Sequence, residues 1–291
     1  MTNDFYKWMT RLPAIDTLTL GELVLPGAHN SGVDKKASYA VPGLSHWAAC
    51  QNNSFYYQLV NGARALDLRL EYDGKGGFWF QHNGYRSSRA LEDLIMAVDR
   101  FLEQHPDEFI VLNFQQLRSN SSPFDVKEFS RLLTQHLGGR VILPEHRYLT
   151  LGELKEFSPF QRVMLASYGG VDRSYFNWEL RCEWTGIDFA SVADVKMFIA
   201  SAIEYPDGLG MPWSMSATSY GLAQGPVNIT THLNEWFDPA RDERVLNCSV
   251  ISVDFFEESA LVLHCMKANL MKAKAKQERR SFVSGSTERP T

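Results

Sequence analysis

Apolar residues along the chain form short runs that alternate with longer segments of helical periodicity. Runs rich in branched and aromatic residues predict strands at 20–25, 63–70, 78–81, 109–115, 162–168, 210–214 and 249–255. Between them, apolar residues recur at intervals of three and four, which predicts helices at 91–102, 123–137, 192–203 and 259–271. Because strands alternate with helices and no internal repeat is present, the pattern indicates a parallel sheet.

A closed barrel, irregular in places, accommodates about seven or eight strands in a chain of 291 residues. No glycine-rich phosphate-binding motif follows a predicted strand, which weakens the alternative of a doubly wound nucleotide-binding sheet. Since no break in composition divides the chain, we predict a single α/β domain. It is an irregular TIM-type barrel over residues 1–271, followed by a basic and flexible C-terminal tail over residues 272–291.

Composition narrows the possible partners. With 44% hydrophobic and 12% aromatic residues the chain is globular, and its net charge of -5 argues against nucleic acid as a partner. Only the end is basic, with seven Lys or Arg and two Glu over residues 267–291. This end is read as a solvated terminus, with a weak membrane-surface arm as the alternative.

Four cysteines in a chain of this length do not form a disulfide framework, and they lack the spacing of a zinc site. We expect them to be free and mostly buried. The apolar stretches are too short to span a bilayer, and the first ten residues lack the hydrophobic core of a signal peptide.

The residues that suggest chemistry lie where predicted strands end. His29 stands in the segment LPGAHNSG (25–32), just beyond the first apolar run and next to proline and glycine residues. Asp67 and Arg69 belong to the second run, His82 follows the third and Asp254 lies near the end of the last. Catalytic groups of parallel barrels collect at the carboxyl ends of strands. Two histidines, an arginine and two carboxylates at such ends can move a phosphoryl group without a metal.

These segments resemble the motifs of bacterial phosphatidylinositol-specific phospholipase C, whose catalytic domain is an X-type barrel. The first segment is similar to that family's I-P-G-T-H-D-S-G, and QLVNGARALDLR (58–69) is similar to its Q-x-x-x-G-A-R-x-x-D-x-R. Residues 253–255 resemble the last strand of the family, which carries a carboxylate. The resemblance is dense over residues 20–115 and returns near 249–256. It implies a lyase that cleaves phosphatidylinositol to diacylglycerol and inositol 1,2-cyclic phosphate.

The resemblance also implies a role for each catalytic residue. His29 matches the general base that takes the proton of the inositol 2-hydroxyl, and Asp254 orients it. His82 matches the general acid that protonates the leaving diacylglycerol oxygen, with Asp67 as its expected carboxylate partner. Arg69 matches the group that holds the phosphate oxygens, which suits a planar guanidinium. Histidine fits both proton transfers because its ordinary pKa lies near the working pH.

Several positions depart from the family pattern. Bacterial members have Asp where this chain has Asn30, and the calcium-dependent relatives use Asn there as a metal ligand. Those relatives place a second carboxylate where this chain has Arg69, so we predict a site with no metal and no cofactor. Gln115 replaces a lysine that holds the inositol ring. The predicted substrate-binding residues are therefore Asn30, Gln115, Glu183 and Trp184.

A short segment over residues 41–50 matches a rim helix that inserts into lipid in the family. Leu44 and Trp47 are three residues apart, so both can lie on one apolar face and contact the membrane, with core packing as the alternative. We therefore expect a monomer that binds phosphatidylinositol membranes peripherally. The resemblance implies a secreted protein, and a cytoplasmic location is the alternative because no signal peptide is visible.

Three other functions would require different residues. A metal-dependent phosphodiesterase of the glycerophosphodiester type would need His-Arg after the first strand and Glu-x-Asp in the second, and the chain has neither. A serine hydrolase would need a G-x-S-x-G turn after a strand, which is also missing. A barrel that binds inositol lipids without catalysis would be expected to lose His29 or His82. Both are present, so an enzyme is favoured.

Overall fold

The computed structural model describes residues 4–41, 43, 45–120, 122–167, 171–177, 180–204 and 212–285. Eleven strands lie within these ranges: β1 (Leu25–Ala28), β2 (Ala65–Tyr72), β3 (Phe78–His82), β4 (Tyr85–Ala90), β5 (Ile110–Ser119), β6 (Val163–Ser167), β7 (Arg181–Glu183), β8 (Trp213–Ser216), β9 (Ser219–Gly221), β10 (Gly225–Val227) and β11 (Val250–Val253).

Seven of these strands form a parallel sheet in the order β6-β5-β2-β1-β11-β8-β7. The hairpin of β3 and β4 extends it, because β3 pairs antiparallel with the far end of β2. Strands β9 and β10 form a separate antiparallel pair. The predicted irregular TIM-type α/β barrel is confirmed, but not its full closure. Among the described residues β6 and β7 do not pair, so the curled sheet is open between them.

The helices cover the outside of this sheet. They are α1 (Ser45–Ala48), α2 (Phe55–Val60), α3 (Leu91–Gln104), α4 (Val126–Leu137), α5 (Leu151–Phe157), α6 (Val192–Glu204), α7 (Thr230–Trp236) and α8 (Leu261–Gly285). Each long helix buries one apolar stripe; α3, for example, buries Leu94, Val98 and Phe101 against the core. Within the described part of the chain, no helix is both long enough and apolar enough to cross a bilayer.

Two boundaries differ from the prediction. Residues 20–22 form a 3-10 turn, because Thr19 and Glu22 bond each other's backbone in a capping box. The first strand therefore starts at Leu25 and ends at Ala28, which places His29 directly after it. The last helix, predicted to end at 271, runs to Gly285 through most of the segment expected to be a flexible tail.

The extension of α8 is held by contacts with the barrel. Lys276 Nζ lies 2.6 Å from an Oε2 oxygen of Glu22, and Lys272 Nζ donates to the carbonyl of Leu246 at 3.0 Å. Ala273 between them is buried. Charge composition alone indicated a solvated tail, whereas these side chains bury the inner side of the helix as far as Lys276. Residues 286–291 lie outside the described ranges.

A buried ion pair lies near the opposite, amino-terminal end of the strands. Arg64 precedes β2 and Glu108 precedes β5, and both side chains are fully buried, with Arg64 Nη2 2.6 Å from Glu108 Oε2. Arg64 also donates to the carbonyl of Tyr6, while Glu108 accepts from the backbone N–H and hydroxyl of Thr10. The pair therefore attaches the N-terminal segment to the bottom of the barrel. The arginine of the G-A-R motif is a structural residue.

We expect Glu108→Gln to lower the free energy of unfolding by about 3–5 kcal/mol, because it leaves the Arg64 guanidinium buried without a counter-charge. Urea unfolding at neutral pH measures this. The matched control is Glu128→Gln, which removes an exposed partner of Arg131 and should leave the unfolding midpoint unchanged. If the two variants were equally stable, the buried pair would not have the structural importance assigned to it.

Candidate active site

Four of the predicted catalytic residues meet at the carboxyl ends of neighbouring strands. His29 follows β1, Arg69 lies in β2, His82 ends β3 and Asp254 follows β11. All four line an open pocket of about 480 Å³. Other parts of its wall come from strand ends and the segments after them, and include Gln115, Cys182, Trp184, Ser216 and Tyr220.

Sheet register places the first of these groups together. The residue before His29 lies opposite those before Asp254 and Asp67 in the two neighbouring strands. His82 reaches the site from β3, which runs antiparallel to β2. A tight turn follows it at Asn83 and Gly84, both with positive φ.

The His29 ring is held from both sides. Its Nδ1 lies 2.7 Å from Asp254 Oδ1, and its Nε2 lies 2.8 Å from Arg69 Nη2. Arginine can only donate, so Nε2 is the acceptor and Nδ1 carries the proton that is donated to Asp254. The pairing of His29 with Asp254, expected from the sequence, is present. In this arrangement Nε2, the basic nitrogen of His29, faces the guanidinium of Arg69.

Asp67 is a partner of Arg69 and not of His82. Its Oδ2 accepts from Arg69 Nη2 at 3.0 Å and from the backbone N–H of Asn30 at 3.0 Å, and it lies 3.6 Å from His29 Nε2. Burial opposes ionisation of Asp67, but Arg69, His29 and these hydrogen bonds lower its pKa below the usual value. The expected pairing of Asp67 with His82 is wrong, since the carboxylate is used to orient Arg69.

His82 is oriented by a backbone carbonyl. Its Nδ1 lies 3.1 Å from the oxygen of Ala48, which only accepts, so Nδ1 carries a proton. The Sγ of Cys50 lies 3.6 Å from the same nitrogen, and the ring of Tyr220 packs edge-on at 5.7 Å between centroids. Burial, together with the charges of Arg69 and His29, lowers the pKa of His82 to about 4. The two imidazoles lie 6.3 Å apart at right angles.

Gln51 fixes the backbone behind His29. Its Nε2 donates to the carbonyls of His29 at 2.7 Å and Val253 at 2.9 Å, and its Oε1 accepts from the N–H of Phe256 at 3.1 Å. Both turns involved contain a residue in the left-handed region, Asn30 with φ 42° and Phe255 with φ 50°. A fully bonded buried amide holds this strained backbone in place.

The predicted substrate-binding residues are only partly in the pocket. Gln115 lines it from a bulge in β5, where the pairing with β2 skips one residue. Trp184 also lines it and is half exposed. Asn30 is fully buried beneath the pocket, and among the described residues its side-chain amide has no hydrogen-bond partner. The position of Asn30 therefore does not support the substrate contact expected for it.

Glu183 does not line the pocket, whereas its neighbours Cys182 and Trp184 do. Side chains alternate along an extended strand, so Glu183 lies on the other face of β7, and it forms an ion pair with Arg181 at 2.8 Å. Of the two residues predicted here, Trp184 lines the pocket and Glu183 does not, because a three-residue strand has too little pattern to show which side chains face the site.

The two residues predicted to contact the membrane were Leu44 and Trp47. Leu44 lies outside the described residues. Trp47 is partly buried, its ring packs against Tyr220 at 5.9 Å, and its carbonyl accepts the Tyr220 hydroxyl. More exposed apolar side chains follow β7, namely Ile187 and Phe189 beside Trp184.

Sequence reasoning missed Tyr220, Cys50 and Gln51. Tyr220 is contributed by the segment after β8, so the rule of strand ends, applied beyond residue 214, would have indicated it. Cys50 and Gln51 precede α2 in irregular backbone, and no periodic signal marks them. The four cysteines form no disulfide, as predicted, with Cys50, Cys248 and Cys265 buried and Cys182 half-buried.

One group in the described residues has the composition of a metal site. A ring nitrogen of His29, the Cys50 sulfur and an Asp254 oxygen lie within 4.8 Å of one another, and all three residues are buried.

Comparison with known proteins agrees with this geometry. No family model matches the chain. Human PI-PLC X domain-containing protein 2 is 32% identical over 130 residues, which cover 37% of this chain and 42% of the length of that relative.

Two solved structures match nearly the whole chain. A variant of the phosphatidylinositol-specific phospholipase C of Staphylococcus aureus superimposes with a TM-score of 0.71 over 92% of this chain and 99% of its own, at 16% identity. The enzyme of Listeria monocytogenes gives a TM-score of 0.70 at 17% identity, over 91% of this chain and 98% of its own. The chain therefore has the fold of the bacterial phosphatidylinositol-specific phospholipases C and is similar in sequence to PI-PLC X domain-containing proteins, as its motifs predict.

Proposed function

We propose that the protein is a phosphatidylinositol-specific phospholipase C, which cleaves phosphatidylinositol to diacylglycerol and inositol 1,2-cyclic phosphate. The observation that carries this proposal is the pair of orthogonal imidazoles, 6.3 Å apart in one pocket, with Arg69 bonded to the first. The similar proteins of S. aureus and L. monocytogenes bear the name of this activity.

His29 has the arrangement of a general base. Asp254 accepts the Nδ1 proton, so the lone pair of Nε2 is free to take the proton of the inositol 2-hydroxyl once Arg69 donates to the phosphate instead. The resulting oxygen attacks phosphorus, and the bond from phosphorus to the glycerol oxygen breaks. The carboxylate behind the ring stabilises the imidazolium that forms, as in a catalytic triad.

Arg69 is arranged to exchange partners when the substrate arrives. In the free protein it donates to His29 and to Asp67. A phosphodiester provides two anionic oxygens that match the guanidinium fork better than one imidazole nitrogen does. Binding of the phosphate therefore also releases the base, while Asp67 keeps the guanidinium in position. Because this fixed cation already faces the phosphate site, the proposal includes no metal and no cofactor.

His82 has the arrangement of a general acid. Its Nδ1 proton is donated to the Ala48 carbonyl, which leaves Nε2 to give a proton to the diacylglycerol oxygen. Its pKa of about 4 in the free protein is low for this task, and Arg69 is one cause. A bound phosphodiester neutralises Arg69 and brings its own negative charge, so substrate binding raises the pKa of His82. Binding of the substrate therefore favours the protonated form that the general acid needs.

The apolar residues beside the pocket support an approach to a membrane surface. Trp184 and Ile187 line the pocket and are about half exposed, at 50% and 48%, and Phe189 nearby is also 50% exposed. Such a rim can enter the interface and extract a headgroup into the pocket. We propose that this segment binds lipid together with Trp47.

We expect His29→Ala and His82→Ala each to reduce turnover of phosphatidylinositol roughly a hundred- to ten-thousand-fold, because each removes one proton-transfer group. Release of water-soluble phosphate ester from lipid vesicles measures the rate. His136→Ala is the control, since His136 is exposed on α4 and should leave the rate unchanged. A near-normal rate in either active-site variant would remove that histidine from the mechanism.

The first product should be inositol 1,2-cyclic phosphate, since the substrate's own 2-hydroxyl is the attacking group. Phosphorus NMR at early times distinguishes this ester from inositol 1-phosphate. A lipid with a 2-O-methyl inositol should not be cleaved. Direct attack by water would replace this mechanism if the acyclic phosphate appeared first, or if the blocked lipid were cleaved.

Trp184→Ala should lower the rate on vesicles by about 10- to 100-fold, because a buried indole contributes about 1.5–3 kcal/mol to interfacial binding. The rate on a monomeric short-chain phosphatidylinositol should change much less. Phe160→Ala, which removes an exposed aromatic residue outside the pocket, is the control for both substrates. Equal losses on both substrates would place Trp184 in headgroup binding.

A further inference from the structure

Cys50 lies behind the active site and has no part in the proposed reaction. Its sulfur is fully buried, lies 3.6 Å from His82 Nδ1, and belongs with His29 and Asp254 to a group whose ligand atoms are within 4.8 Å of one another. We propose that Cys50, His29 and Asp254 form an inhibitory site for zinc, with a water molecule from the pocket as the fourth ligand.

The cluster is compact enough to close around a tetrahedral ion. Zinc lies about 2.0–2.3 Å from nitrogen, oxygen and sulfur ligands, so two ligands of one tetrahedron are about 3.3–3.8 Å apart. The ligand atoms of His29, Cys50 and Asp254 lie within 4.8 Å of one another, so small side-chain rotations bring them to these separations. The 2.7 Å between His29 and Asp254 is shorter, because a hydrogen bond now joins them, and it lengthens when the metal replaces the shared proton.

The set of donor atoms selects the kind of metal. One thiolate, one imidazole and one carboxylate are all ligands that zinc takes in proteins. Calcium requires six to eight oxygen ligands, and this group offers only the carboxylate of Asp254. The thiolate and the carboxylate together balance the two charges of the ion, which is important in a buried place.

Binding of zinc requires a defined movement of protons. The thiol of Cys50 loses its proton to solvent, and the proton of the His29 imidazole moves from Nδ1 to Nε2. His29 Nε2 then no longer accepts from Arg69, so this contact breaks. His29 therefore loses the tautomer needed for the proposed reaction. An occupied site and an active site therefore exclude each other.

Cobalt(II) reports on the site without any need for turnover. Added to the full-length protein, it should give a thiolate-to-cobalt charge-transfer band with tetrahedral d–d absorption, and one equivalent of zinc should abolish both. Cys50→Ser should lose the charge-transfer band and bind zinc at least about tenfold more weakly in equilibrium dialysis. Cys182→Ser is the matched control, because Cys182 lines the same pocket outside the group of three and should retain both signals.

A second variant keeps the proposal testable if Cys50→Ser does not fold. Asp254→Asn keeps the size of the side chain but removes its charge, and it should weaken zinc binding while retaining the thiolate band. The proposal fails if wild-type protein shows no thiolate band, if Cys50→Ser binds zinc as well as wild type, or if Cys182→Ser loses the band. Because these readouts measure binding alone, they remain valid for a protein that has no phospholipase activity.

Discussion

The parallel pairing of β1 with β11 and β2 is the constraint on which the active site depends. It sets Ala28 opposite Val253 and Leu66, so the next residue of each strand arrives at the same level. A shift of one residue would turn these side chains to the opposite face of the sheet. The bond between His29 and Asp254, and that between Asp67 and the backbone of Asn30, follow directly from this register.

The sequence was sufficient for those parts of the site that stand on regular strands. Apolar runs located β2, β5 and β11 closely enough to show which polar residues follow them. It was insufficient where irregular backbone supplies a partner, as when the carbonyl of Ala48 takes the place expected for Asp67 beside His82. A backbone oxygen has no sequence signal, because every residue has one.

Short elements caused the remaining errors. Strand β7 has three residues, so alternation could not be read from the sequence, and Glu183, predicted to bind substrate, faces away from the pocket. The 3-10 turn at Leu20–Glu22 looked like a strand because its residues are apolar, although the capping box with Thr19 determines its shape. At α8 the many basic residues indicated a solvated tail after residue 271, although the helix continues and has a buried side.

Residues 47–51 hold three parts of the site, namely Tyr220, His82 and the backbone of His29. The carbonyl of Trp47 holds Tyr220, that of Ala48 holds His82, and the Gln51 amide holds the backbone of His29. Because Ala48 fixes His82 and Gln51 fixes His29, the length of this five-residue stretch sets the spacing between the base and the acid. Relatives that differ in length here would be expected to accept a different ring or phosphate geometry between the two imidazoles, even with identical catalytic residues.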